Sequence, residues 1–135
     1  MRVSTVSIKD CPSRLYRQLN SLNFRKRGQM RSTLRSARKG FYKDAVAHYI
    51  REDNKILAWT LSFRYKTWDS YRSYFYTRRY SRRKGLGSKL AVAVGKYCNQ
   101  KSSERPLVYP HDVASRKFFG KCINKNNIKL KQCGY

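Results

Sequence analysis

Residues 44–65 hold two apolar, β-branched and aromatic runs, DAVAHYIRE and KILAWTLSFRY, separated by the polar tetrad EDNK. Runs of this kind broken by turn formers predict an antiparallel hairpin. A third strand is expected in YRSYFYTRR, residues 71–79, with KTWDS as the connecting turn. A sheet then has to lie at the centre, and the remaining elements have to cover it. A chain of 135 residues is expected to bury one core and not two, so residues 1–135 are read as one domain.

The flanking segments supply the cover. RVSTVSI alternates loosely through Val3, Thr5 or Val6, and Ile8, which predicts a first strand. In CPSRLYRQLNSLNF, Pro12 and Ser13 mark a helix start, and Leu15, Leu19 and Leu22 share one face. Further on, Leu86, Leu90, Val94 and Tyr97 recur at helical spacing, with Ala91 and Ala93 keeping that helix slim. KSSERP ends it and PLVYP reads as a short buried strand. DVASRKFFGKC is a further helix with Asp112 as cap and Val113, Phe118 and Cys122 facing inward, and IKLKQC is a last strand. The fold class is therefore α/β (α+β), a mixed, mostly antiparallel sheet flanked by helices.

Charge selects the partner. Thirty-two Lys and Arg against seven Asp and Glu leave a formal charge of +25, which repels itself unless a polyanion compensates. Nucleic acid, or a protein bound to nucleic acid, is the expected partner. No apolar run approaches the roughly 20 residues that span a bilayer, and the first residues lack the apolar stretch of a signal peptide, so no membrane and a cytoplasmic location are expected. Cys11, Cys98, Cys122 and Cys133 form no CxxC pair, and only His48 and His111 stand beside them. No metal site is expected, and the thiols are read as reduced.

Between Phe24 and Lys43 the chain is strongly basic, with no acid from Asp10 to Asp44. Arg27, Arg31, Arg35 and Lys39 form an i, i+4 series, so a helix here presents a cationic ridge, with Met30, Leu34, Ala37 and Phe41 as the opposing apolar stripe. The ridge is a candidate nucleic-acid contact; the plain alternative is a solvated basic face.

The most specific local feature is RRKGLGS, residues 82–88. A strand leads into a basic Gly-x-Gly turn and a helix follows, an order that offers backbone N–H groups and a positive dipole end to an anion. The segment is neither GxxxxGK[ST] nor GxGxxG. At this point the chain resembles the GCN5-related N-acetyltransferases (GNAT), whose pyrophosphate signature is [Q/R]-x-x-G-x-[G/A]. Arg82, Arg83, Lys84, Gly85, Leu86 and Gly87 satisfy it, and the order of elements follows the family over nearly the whole chain. DVASRKFFGKC looks like the family's second cofactor motif, with Asp112 at its Asn place and Phe119 at its final aromatic. The resemblance implies that the N–H groups from Lys84 to Ser88 bind the diphosphate of acetyl-CoA, with Arg82, Arg83 and Lys84 adding charge. It also implies that the backbone at Thr77 holds the pantetheine arm while Tyr76 flanks the groove.

Three departures accompany the resemblance. Arg79 replaces a frequent Pro, Phe119 stands where a thiolate-protonating Tyr often sits, and IKLKQCGY implies a shortened C-terminal end. No catalytic residue is assigned. Glu52, Asp69, Glu104, His48 and His111 are the groups available as a base, and Tyr109 the one available to orient a water or the thiolate, each with a turn, cap, surface or core role as its ordinary alternative. The expected activity is acetyl-CoA-dependent N-acetylation of nucleic acid or of an associated protein amine, a small cationic amine being repelled. The rivals are a nucleic-acid-binding module on the same scaffold that has lost turnover, with tyrosine and arginine stacking on bases, and a basic structural protein packed against a genome.

Overall fold

The computed structural model describes residues 2–22, 29–78, 81, 84–108, 116–121 and 131–132. Arg27, Arg82, Arg83, Tyr109, His111 and Asp112 lie outside them. In chain order the elements are β1 (Val3–Ser7), α1 (Ser13–Ser21), α2 (Gln29–Arg38), β2 (Asp44–Glu52), β3 (Lys55–Arg64), β4 (Arg72–Thr77), α3 (Leu86–Lys101) and β5 (Leu107–Val108). A helical segment, α4, follows at 116–121, and then β6 (Lys131–Gln132). The strands form one sheet in sequential order, antiparallel from β1 to β4 and parallel from β4 through β5 to β6.

The hairpin forms where the hydropathy break puts it. Glu52 pairs with Lys55 across a two-residue turn, and Asp53 takes the left-handed conformation at φ 55°. Strand period then sorts the side chains onto two faces. Ala45, Ala47, Trp59, Leu61 and Phe63 face one way and pack with Leu15 and Leu19 of α1 and Met30, Leu34 and Ala37 of α2. Ile50 and Ala58 face the other way and pack with Leu86 and Leu90 of α3. β3 is buried from Ile56 to Arg64 because both of its faces are covered, which is why its sequence reads as a continuous run rather than an alternation. The Trp59 indole N–H donates to the carbonyl of Leu22 at 2.8 Å, tying the end of α1 to the middle of the sheet.

The expected apolar stripe of α2 holds for Met30, Leu34 and Ala37 and fails at Phe41, which is 60% exposed. Gly40, at φ 80°, ends the helix first. Phe41 N–H donates to Ser36 O and Gly40 N–H to Ala37 O, both at 3.0 Å, the paired bonds of a Schellman cap. The ridge is shortened for the same reason. Arg31 and Arg35 lie exposed on the helix, whereas Lys39 stands one residue past its end. Arg38 is not part of it: its guanidinium donates to the carbonyls of Ile8 and Cys11, bracing α2 against the segment between β1 and α1.

Under α3 the sheet carries polar groups. His48 is 1% exposed, its ring edge-on to Tyr97 at 5.3 Å, and its Nδ1 has no hydrogen-bond partner among the described residues. Burial lowers its pKa to about 4. A histidine that ionises in the unfolded chain near pH 6.5 but stays neutral when folded destabilises the fold as pH drops between those values. Unfolding free energy is expected to decline below pH 6.5 by up to about 1.4 kcal/mol per pH unit from this group. Urea titrations across that range check it, and His48→Leu should flatten the profile; an unchanged slope in the variant refutes the assignment.

Candidate functional site

The turn before α3 joins three local conditions. Gly85 is the N-cap at φ 75°, a left-handed conformation that favours glycine. Gly85 supplies no side-chain cap, and the first turn contains no acidic residue, so the positive dipole end is not neutralised by the N-cap or by an acid of that turn. A Cβ built on Gly85 meets no atom of the described residues beyond its chain neighbours within 4 Å, and Lys84 beside it is exposed. Among the described residues, none stands in the way of an anion approaching the backbone donors here.

Gly87 answers to packing. A Cβ there stands 2.7 Å from Cζ of Phe118, whose ring lies 5.2 Å from that of Phe119. The missing side chain thus seats α4 on α3. Gly87→Ala is expected to displace Phe118 and, after the roughly 1 kcal/mol helix gain of alanine is set against the overpacking, to lower unfolding free energy by up to about 2 kcal/mol, measured by urea denaturation. No loss of stability refutes this reading.

Leu86 contributes only backbone to the turn, because its side chain is 3% exposed among Ile50, Leu57 and Leu90. Ser88 is half-buried on the first turn of α3. Arg78 is held back from the turn, its Nε donating to Ile56 O at 2.7 Å.

β4 leads into this turn. Its ladder to β3 runs without a shift from Phe63–Arg72 to Ala58–Thr77. Its described ladder to β5 holds only Arg72 and Ser73. Tyr74 to Thr77 thus extend past the described part of β5, on the way to the glycine turn. Tyr76 lies on the α1–α2 face and packs against that core, whereas Thr77 lies on the α3 face. Phe119 is 3% exposed, its ring 4.9 Å from Phe75 of β4, so it walls the space beside β4 and holds no proton to donate.

Most of the described acids stand far from the turn. Arg64, 8% exposed, donates to Asp44 Oδ2 at 3.1 Å and to the carbonyls of Asp69 and Lys101 at 3.3 and 3.4 Å. Tyr71 adds a bond to Asp44 Oδ2 at 3.0 Å, and burial with the Asp44 charge pushes its phenol above the ordinary range. Ser103 donates to Asp69 Oδ2 at 2.6 Å and holds that carboxyl below its ordinary pKa. Glu104 N–H is bonded to Ser102 Oγ. This cluster closes the C-terminal end of α3, about 24 Å along the helix from its start. Among the described candidate bases, Glu52 alone is on the turn's end of the sheet, exposed at the base of the hairpin, where Leu86 packs near Ile50 and Leu57. His48 is sealed beneath α3.

The architecture has solved counterparts. An aminoglycoside acetyltransferase from an uncultured soil metagenomic sample, solved with sisomicin, matches at TM-score 0.59 and 14% identity over 99% of this chain and 92% of its own. A possible acetyltransferase from Clostridium difficile 630 matches at TM-score 0.63 and 11% identity over 100% and 94%. The chain has the GNAT fold. No protein-family model and no curated protein matches the sequence, so the likeness is one of structure. Among the described residues the sheet ends in a parallel pairing of β5 with β6, Leu107 with Lys131 and Val108 with Gln132. Sequence reasoning missed two structural roles here: Phe118 over Gly87, and Arg64 as the hub of the far cluster. An arginine inside the apolar run KILAWTLSFRY is the signal for the second.

Proposed function

We infer that residues 1–135 form one acetyl-CoA-dependent N-acetyltransferase domain, cytoplasmic, whose acceptor amine is carried by nucleic acid or by a protein bound to it. The observation behind this reading is the left-handed Gly85 at the uncapped, acid-free start of α3, placed at the end of β4 in a GNAT-like fold. Residues Lys84 to Ser88 would hold the diphosphate, with Arg82, Arg83 and Lys84 as its counter-charges, and β4 through Tyr76 and Thr77 would align the pantetheine arm. Acetyl-CoA supplies the activated thioester. The chain's own part is to orient the acceptor amine and keep it neutral.

The aminoglycoside acetyltransferase neighbour was solved with sisomicin, an amine-rich small molecule. The positive charge here argues against such an acceptor, because a polycation is repelled where a polyanion is attracted. Thiol release from acetyl-CoA should be stimulated by RNA, or by a protein together with RNA, with acetyl groups recovered on that acceptor by mass spectrometry. Stimulation by aminoglycosides and not by nucleic acid overturns the acceptor class. A second reading, a nucleic-acid-binding module without turnover, is favoured by Phe119, which is buried and has no ionisable group. Acetyl-CoA that binds and is never consumed selects it.

A further inference from the structure

Among the described residues, an extended aromatic assembly on the α1–α2 face lies at the end of the sheet away from the glycine turn. Phe41 meets Tyr42 edge-on at 5.3 Å and Tyr65 at 5.6 Å. Tyr42 leans on Phe63 at 4.9 Å, and Phe63 stacks on Tyr74 at 5.7 Å. Tyr65 meets Trp68 at 4.1 Å, and the guanidinium of Arg72 lies 3.9 Å over the Trp68 ring. The assembly thus grades from a buried floor, Phe63 at 5% exposure, to an exposed rim, Phe41 at 60%.

Phe41 is held in this exposed position by the end of α2. In a Schellman cap the residue after the glycine commonly packs on an apolar residue of the last turn. Here the corresponding position is Ser36, so the ring turns to Tyr42 and Tyr65 instead. Phe41 belongs to none of the core clusters. Exposed lysines adjoin these rings in the chain: Lys39 and Lys43 on either side of Phe41 and Tyr42, and Lys66 after Tyr65. An exposed ring such as Phe41, held by the neighbouring rings of Tyr42 and Tyr65 and accompanied by cations, suits unpaired bases on a phosphate backbone.

We propose that Phe41, backed by Tyr42, Tyr65 and Trp68, is a base-stacking site for single-stranded nucleic acid. The charge of the chain selects this occupant over a neutral or basic protein surface. Paired bases have no free faces to offer, so the site discriminates single strands from duplex. The proposal rests on the reading that the acceptor is nucleic acid or is bound to it, and it supplies a positioning surface distinct from the turn and from the α2 ridge.

Fluorescence anisotropy with a labelled single-stranded oligouridine and an RNA duplex of equal length tests it. Phe41→Ala should weaken oligouridine binding by about 5- to 100-fold, leave the salt slope and duplex affinity unchanged, and retain the thermal midpoint. Phe41→Trp should restore binding. Wild-type affinity in Phe41→Ala, or an equal loss on duplex, overturns the site while leaving the nucleic-acid reading intact. A wild-type protein that binds neither RNA overturns both. If wild type sediments as a dimer and Phe41→Ala as a monomer, the patch is a contact between copies of this chain and the proposal is refuted.

Discussion

Gly85→Asp is expected to weaken acetyl-CoA binding by roughly 30- to 1,000-fold in a protein that still folds. Aspartate is among the non-glycine residues that tolerate a left-handed conformation, and a Cβ at Gly85 meets no atom of the described residues beyond its chain neighbours within 4 Å. The fold therefore bears a modest cost. The ligand bears the larger one, because a carboxylate at the helix start opposes a diphosphate at close range, worth about 2–4 kcal/mol at intermediate screening. Gly85→Asn separates the two causes, since it has nearly the same shape and no charge. Calorimetric titration of both variants should show the asparagine protein retaining much more affinity. Equal affinities would mean that shape governs the turn, and wild-type affinity in Gly85→Asp would place the cofactor elsewhere. Gly87 is the poorer position for this test because any side chain there first displaces Phe118.

Affinity for single-stranded RNA should fall about 100- to 1,000-fold between roughly 50 and 200 mM salt. That range corresponds to about 5–7 neutralised phosphates at about 0.7 per phosphate on single strands, a modest share of 32 Lys and Arg. The double variant Arg31→Gln, Arg35→Gln keeps helix propensity and removes two exposed charges from α2. Its salt slope should be shallower by up to about 1.4, with acetyl-CoA affinity unchanged. A flat salt response in wild type refutes nucleic-acid binding. An unchanged slope in the double variant shows that α2 is a solvated basic face.

Strand and helix periods carried most of the fold in the linear sequence. The hairpin around Asp53 and Asn54, the face of α1 through Leu15, Leu19 and Leu22, and the helix after the glycine turn all depend on contacts within a few residues or on local chirality. The end of α2 was legible too, but in a different signal from the one that extended the stripe to Phe41. A spacing rule carries Phe41 onto the buried face, whereas Gly40 stops the helix before it gets there. Backbone conformation decides that case, because the stripe exists only as far as the helix does.

By itself the sequence determined the alternation of elements, the positive charge and the glycine turn at the start of α3, since these rest on composition, period and near neighbours. Tertiary structure alone decided what those pieces meet. It set Phe118 against Gly87, gathered Asp44, Asp69 and Glu104 at the opposite end of α3 from the turn, and sealed His48 between sheet and helix. Such relations join residues far apart along the chain, and they follow from which sheet face each helix covers and in which direction it runs.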